Sequence, residues 1–77
     1  MSDLFQQVFA QLVENAVRTK NEYLDALRNR DYTKITQRAT NYTHATDRLA
    51  EHTGWPISRI NAYITQQLED KDAENPS

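Results

Sequence analysis

The chain has 77 residues, a net charge of −2 and no cysteine. That length holds one domain at most, the missing thiols exclude a disulfide or thiolate-metal staple, and no run of ~18 apolar residues exists to span a membrane. Leu, Ile, Val and Phe supply 15 residues, just under the ~20% that marks disorder when net charge is also high. Net charge is low here, so the reading is a folded domain with a thin core. Self-association or a partner would add buried apolar area to it.

Charge is unevenly placed. Residues 69–77 carry Glu69, Asp70, Asp72 and Glu74 against Lys71, a net of −3, which leaves the body at +1. The acidic balance belongs to the tail. The body is not the strongly basic surface of a typical nucleic-acid binder. Met1-Ser2-Asp3 lacks the basic start of a signal peptide. Together with the absent cysteines this predicts a cytoplasmic protein.

With one glycine and two prolines, long helices are expected. The first spans residues 3–29, with Ser2 or Asp3 as its cap. Its apolar residues come in pairs at helical spacing: Leu4/Phe5, Val8/Phe9, Leu12/Val13, Ala16/Val17, then Tyr23/Leu24 and Leu27. The arc is wide in the first half. It narrows where Arg18, Thr19, Lys20, Asn21 and Glu22 interrupt it.

Asn29-Arg30-Asp31 is a polar connector, with Asp31 as the cap of a second helix over 32–53. The inward stripe of that helix is Tyr32, Ile35, Ala39, Tyr42, Thr46, Leu49 and Thr53, a heptad seam like that of an antiparallel hairpin. Ala39, Thr46 and Thr53 make the seam weak. Gly54 ends the helix as a left-handed residue, where a side chain would clash. Pro56 opens a third helix over 56–68, whose stripe is Ile57, Ile60, Ile64 with Tyr63, and Leu68.

The expected fold is all-α, a domain over 1–68. A long antiparallel helical hairpin carries a third, shorter helix on its open end, and a disordered acidic tail follows over 69–77. One partner needs only a narrow stripe and two partners need a wide arc, so the asymmetry of the first helix is explained. Trp55 would plug the open end.

Residues 46–65 read TDRLAEHTGWPISRINAYIT. This resembles the helix-turn-helix unit of Cro-like and repressor-like DNA-binding proteins. Ala50 matches the small residue at the helix crossing and Gly54 the glycine of the turn. Leu49, Trp55, Ile57, Ile60 and Tyr63 match the apolar places. The resemblance implies that the third helix enters the major groove and reads bases with its outward residues Ser58, Arg59, Asn61, Ala62 and Thr65.

Other constellations point away from chemistry. His44, Arg48 and His52 lie four apart on one face, but the two histidines are two full steps apart with a cation between, so no metal site is expected. Glu22 and Asp25 sit beside Lys20 and Arg28, which predicts surface pairs such as Asp25–Arg28. No hydroxyl has the partners of an activated nucleophile, and no glycine-rich loop cradles a phosphate. The tyrosines read as seam residues with wet hydroxyls.

The leading expectation is therefore a non-enzymatic interaction or regulatory protein with no cofactor, metal or small-molecule substrate. It would act on a protein partner or on a second copy of itself, through Phe5, Phe9, Leu12, Arg59 and Tyr63. The alternative is a DNA-binding regulator that uses Ser58, Arg59, Asn61 and Thr65.

Overall fold

A computed structural model describes residues 3–74, and three helices make up nearly all of it: α1 (Asp3–Arg28), α2 (Tyr32–Thr53) and α3 (Ile57–Glu74). Phe5 near the start of α1 meets His52 near the end of α2. Glu22 toward the end of α1 meets Arg38 in the first half of α2. The two helices are therefore antiparallel. From Trp55 and Tyr63 against Phe9 to Thr65 against Lys20, α3 runs back over the hairpin in the same sense as α1. The fold is the expected all-α hairpin with a third helix added from its open end.

The core lies where the three helices meet. Ile60 and Ile64 of α3 are fully buried against Ala16 and Val17 of α1 and Ala45 and Leu49 of α2. Two alanines under two isoleucines let the helices approach closely, while Phe9, Leu12, Val13, Tyr42, Trp55, Tyr63 and Leu68 close the margins. Beyond Lys20, Ala26 is the one buried residue of α1. This is the narrow half of the stripe that the spacing predicted.

Several seam residues depart from their expected places. Tyr32 is 76% exposed, because it opens α2 where the hairpin ends and no helix faces it. Ala45 is buried instead, one residue before Thr46, since α3 widens the covered face of α2 beyond a single seam. Thr19, expected to interrupt the apolar stripe of α1, is buried. Its hydroxyl donates to the Ala16 carbonyl at 3.0 Å. Thr46 and Thr53 likewise donate back to Thr43 and Leu49. A threonine that satisfies its hydroxyl on its own helix can enter a core as a small branched side chain.

The connectors follow local rules with three corrections. Asp31 stands at the N-cap of α2, but its side chain makes no capping bond. It accepts the Thr33 hydroxyl at 2.7 Å instead, and that hydrogen bond, with Lys34 nearby, holds its carboxyl below the usual value. Gly54 takes the left-handed conformation, φ 78°, and its N–H donates to Ala50 at 2.8 Å. A Cβ there would meet nothing within 4 Å. The need for glycine comes from the backbone angle alone and not from a clash with neighbours. Pro56 precedes α3 rather than opening it, and its carbonyl accepts the N–H groups of Arg59 and Ile60.

The first connector hides a feature that carries no sequence signal. Arg30 has φ 53°. Its N–H donates to Leu27 and that of Asp31 to Ala26, the paired bonds of a Schellman helix end that normally uses glycine. A left-handed arginine costs about 1–2 kcal/mol, part of which a glycine would return as unfolded-chain entropy. Arg30→Gly should raise stability by about 0.5–1 kcal/mol, read as a higher urea midpoint. A lower midpoint would mean that the exposed arginine side chain contributes more than its backbone strain costs.

At the other end, α3 continues through Glu74, six residues past the expected boundary at Leu68. Leu68 is the last residue packed on the core, and Glu69, Asp70 and Lys71 are exposed. The acidic segment lacks apolar periodicity, yet it holds no glycine or proline before Pro76, so nothing breaks a helix already nucleated by the buried turns before it. The rest of the expected tail, 75–77, and the proposed cap Ser2 lie outside the described residues.

Candidate interaction surface

The start of α1, the end of α2 and the start of α3 come together at one end of the molecule, and the aromatic residues gather there. Phe9 of α1, Trp55 of the corner and Tyr63 of α3 form a triangle with ring centroids 5.8–6.0 Å apart. Two of its contacts are edge-to-face, the geometry favoured by the ring quadrupoles. The Arg59 guanidinium lies 4.1 Å over the indole of Trp55, a stacked cation one turn into α3. Phe5 stacks on the His52 ring at 4.1 Å, and His52 Nε2 lies 3.3 Å from the Phe5 carbonyl oxygen.

This end is unfinished as a core. Phe5, Gln6, Phe9, Thr53, Trp55 and Tyr63 line an open groove of about 370 Å³. Beside it Leu4 is 71%, Phe5 48% and Ile57 41% exposed. The groove opens because Phe5 is drawn toward His52 on α2, whereas Phe9 is drawn toward Trp55 and Tyr63. The space between them is left uncovered.

The predicted interaction residues thus divide. Phe5 and Arg59 are exposed, and Phe9 and Tyr63 are half-buried with one side on the groove. Leu12 packs against the core cluster and is not part of this surface. Leu4 and Ile57 are exposed at the same end of the bundle but outside the groove lining. Ile57 was placed on the inward stripe of the third helix by its spacing, but it stands in the first turn of α3, before the bundle closes. Trp55 covers the open end as expected and also forms a wall of the groove, which its place between Gly54 and Pro56 did not foretell.

The residues read as outward on α3 divide too. Ser58, Arg59 and Ala62 are exposed. Asn61 and Thr65 instead face the hairpin. Asn61 Oδ1 accepts the Tyr42 hydroxyl at 2.8 Å, and Thr65 Oγ1 accepts from Lys20 Nζ at 2.7 Å. Lys20 also lies 5.4 Å over the Tyr42 ring. These four side chains form a polar clasp across all three helices. The clasp gives the part-buried Tyr42 phenol a partner within the protein, which its reading as a wet hydroxyl did not include.

Burial raises the Tyr42 phenol above its ordinary 10.0. A raised acid is neutral in the fold, so its contribution is complete below pH ~10 and is lost as pH climbs through the folded value. Tyrosinate, moreover, cannot donate to Asn61. Tyr42→Phe should cost about 1 kcal/mol at neutral pH through the lost hydrogen bond. It should also fall less steeply in stability than the parent above pH ~10, because the ring under Lys20 is kept and only the phenol is gone. Urea midpoints across that range read the difference, and parallel curves would show that the phenol is not titrating within the fold.

Glu22 lies 3.3 Å from Arg18 and 3.5 Å from Arg38. The expected Asp25–Arg28 pair is not among the ion pairs of the described residues; Glu22 instead pairs with Arg18 on its own helix and with Arg38 across the hairpin. A polar recess of about 130 Å³ beside this pair is lined by Asp25, Asp31 and Lys34 among others. Among the described residues no three of the His, Asp and Glu side chains are grouped to hold a metal ion, and no helix is long and apolar enough to cross a membrane. Compared with known proteins, the chain matches no family model, no curated protein and no solved structure.

Proposed function

We propose that this chain is a non-enzymatic interaction protein that works by offering the aromatic end of its bundle to a protein surface. The observation that carries the reading is the exposure of Leu4, Phe5 and Ile57 beside an aromatic groove, in a chain with few large apolar residues to spare. Scattered apolar side chains on a surface need no explanation, but a cluster around a groove marks a docking face. Large aromatic walls with a stacked arginine are the composition of interface hot spots. An amphipathic helix laid into such a groove is a common mode of recognition. We propose that the protein acts in the cytoplasm, since a chain without cysteine has no disulfide that would require an oxidising compartment.

The test compares the full chain with a Leu4→Ser/Ile57→Ser variant. Both positions are exposed, so the fold should be kept within about 0.5 kcal/mol and the circular dichroism unchanged. The parent should hold a protein, another or itself, that the variant releases. Identical binding and identical sedimentation of parent and variant would remove the surface from consideration.

The second reading, a DNA regulator with α3 as recognition helix, draws on the tight corner at Gly54 and on the exposed Ser58 and Arg59. It has less support, because Asn61 and Thr65 are engaged by Tyr42 and Lys20. For that reading, random duplex should shift in a gel at low salt and lose the shift as salt rises, and Arg59→Ala should weaken it. No shift at any salt would retire it.

A further inference from the structure

We infer that the occupant of the aromatic end is a second copy of this chain, joined about a two-fold axis. The inference rests on the docking role proposed above and names its partner.

The first argument is self-complementarity. A two-fold contact uses the same patch twice, so one patch must carry both the projection and the recess. Here Leu4 and Ile57 project into solvent at the end of the bundle that holds the 370 Å³ groove. The groove walls are Phe5, Phe9, Trp55 and Tyr63, which suit an aliphatic side chain rather than a charged one. The second argument is charge. Arg59 stands at this end with Asp3 and Glu51, all exposed, so a copy brings both signs to meet both signs and no like-charged field opposes contact.

The third argument is area. A compact monomer of 9.0 kDa has about 4,900 Å² of accessible surface, whereas this chain has 5783 Å². The excess is about 900 Å², and the exposed Leu4, Phe5 and Ile57 contribute to it. A standard interface covers about 800 Å² on each partner. Among the described residues the largest fully buried side chains are Leu49, Ile60 and Ile64, so the added apolar burial would be a substantial gain for so small a core.

Trp55 makes the test direct, because it is the one tryptophan and it lines the groove. Sedimentation of the full chain from about 1 μM to several hundred μM should show a monomer passing to a dimer by mass action. The Trp55 emission should move to shorter wavelength over the same range. Leu4→Ser/Ile57→Ser, with unchanged circular dichroism, should weaken the dimer at least tenfold and hold Trp55 at its monomer wavelength.

A dimer that survives the double substitution with Trp55 unmoved would use another face and would overturn the inference. A chain monomeric throughout would also overturn it. If that monomer still captures a different protein that the double variant releases, the docking role stands without the second copy. If it captures nothing, both fall.

Discussion

Leu49→Ala should leave the chain largely unfolded in plain buffer at room temperature. Leu49 is 1% exposed at the meeting of the three helices, and with Ile60 and Ile64 it makes up the large, fully buried part of the core. Truncating a buried leucine costs about 2–5 kcal/mol, since the transfer energy of the lost atoms is joined by that of the cavity left behind. A domain of this length has a total stability of about 4–12 kcal/mol. A chain that buries so few large side chains belongs at the lower end of that range. The loss is thus of the same size as the whole. Helical circular dichroism with a thermal ramp reads the outcome. A variant that melts cooperatively within a few degrees of the parent would show that the core is broader than these three side chains. Ile60→Ala and Ile64→Ala should act alike, because each truncates one of the two fully buried residues of α3.

Ala16→Leu should release α3 from the hairpin. Ala16 has no exposed surface, and it packs in the cluster that contains Ile60 and Ile64. Three added carbons have no room there, and overpacking a tight core costs about 1–3 kcal/mol. The cost falls on the weakest attachment. α3 is held by Ile60, Ile64, the aromatic triangle and the clasp at Tyr42 and Lys20, whereas α1 and α2 face one another along most of their length. The expected result is a chain that keeps most of its helical signal but exposes Trp55 and binds a hydrophobic dye. Ala10→Leu is the control, since Ala10 is exposed on the same helix and the change should be nearly silent. Unaltered Trp55 emission in Ala16→Leu would mean that α3 shifts sideways to make room instead of leaving.

The contrast between the two substitutions follows from where the apolar side chains are. Removing Leu49 weakens every pairwise packing at once. Adding bulk at Ala16 separates one layer from the other two.

Much of this was legible in the residues. The three helices and the corner at Gly54 follow from local physics. Apolar pairs every third or fourth residue define the helices, one glycine supplies the left-handed angle, and a proline just beyond it lets the next helix begin. The wide and narrow halves of the stripe on α1 also told where the packing of α3 on the core would stop, though not where the helix itself ends. Phe5 and Phe9 were visible as a candidate surface because the arc at the start of α1 is more apolar than one neighbour needs. Leu4 and Ile57 were harder. Whether an apolar residue at a helix start is covered depends on how the neighbouring chain enters, and spacing along one helix does not record that.

By itself, then, the amino-acid order determined the helices, their antiparallel return and the place of the corner, because these depend on interactions among residues close along the chain. Only the tertiary structure decided which polar side chains face inward. Asn61 and Thr65 look like any exposed polar residues on a helix until Tyr42 and Lys20 reach them from two other helices. Thr19 enters the core only because its hydroxyl turns back to Ala16. A hydrophobic pattern reports which residues avoid water. It does not report where a polar group finds its partner, since that partner lies one turn back for Thr19 but 19 and 45 residues away for Asn61 and Thr65, where it is set by the rotation of one packed helix against the others.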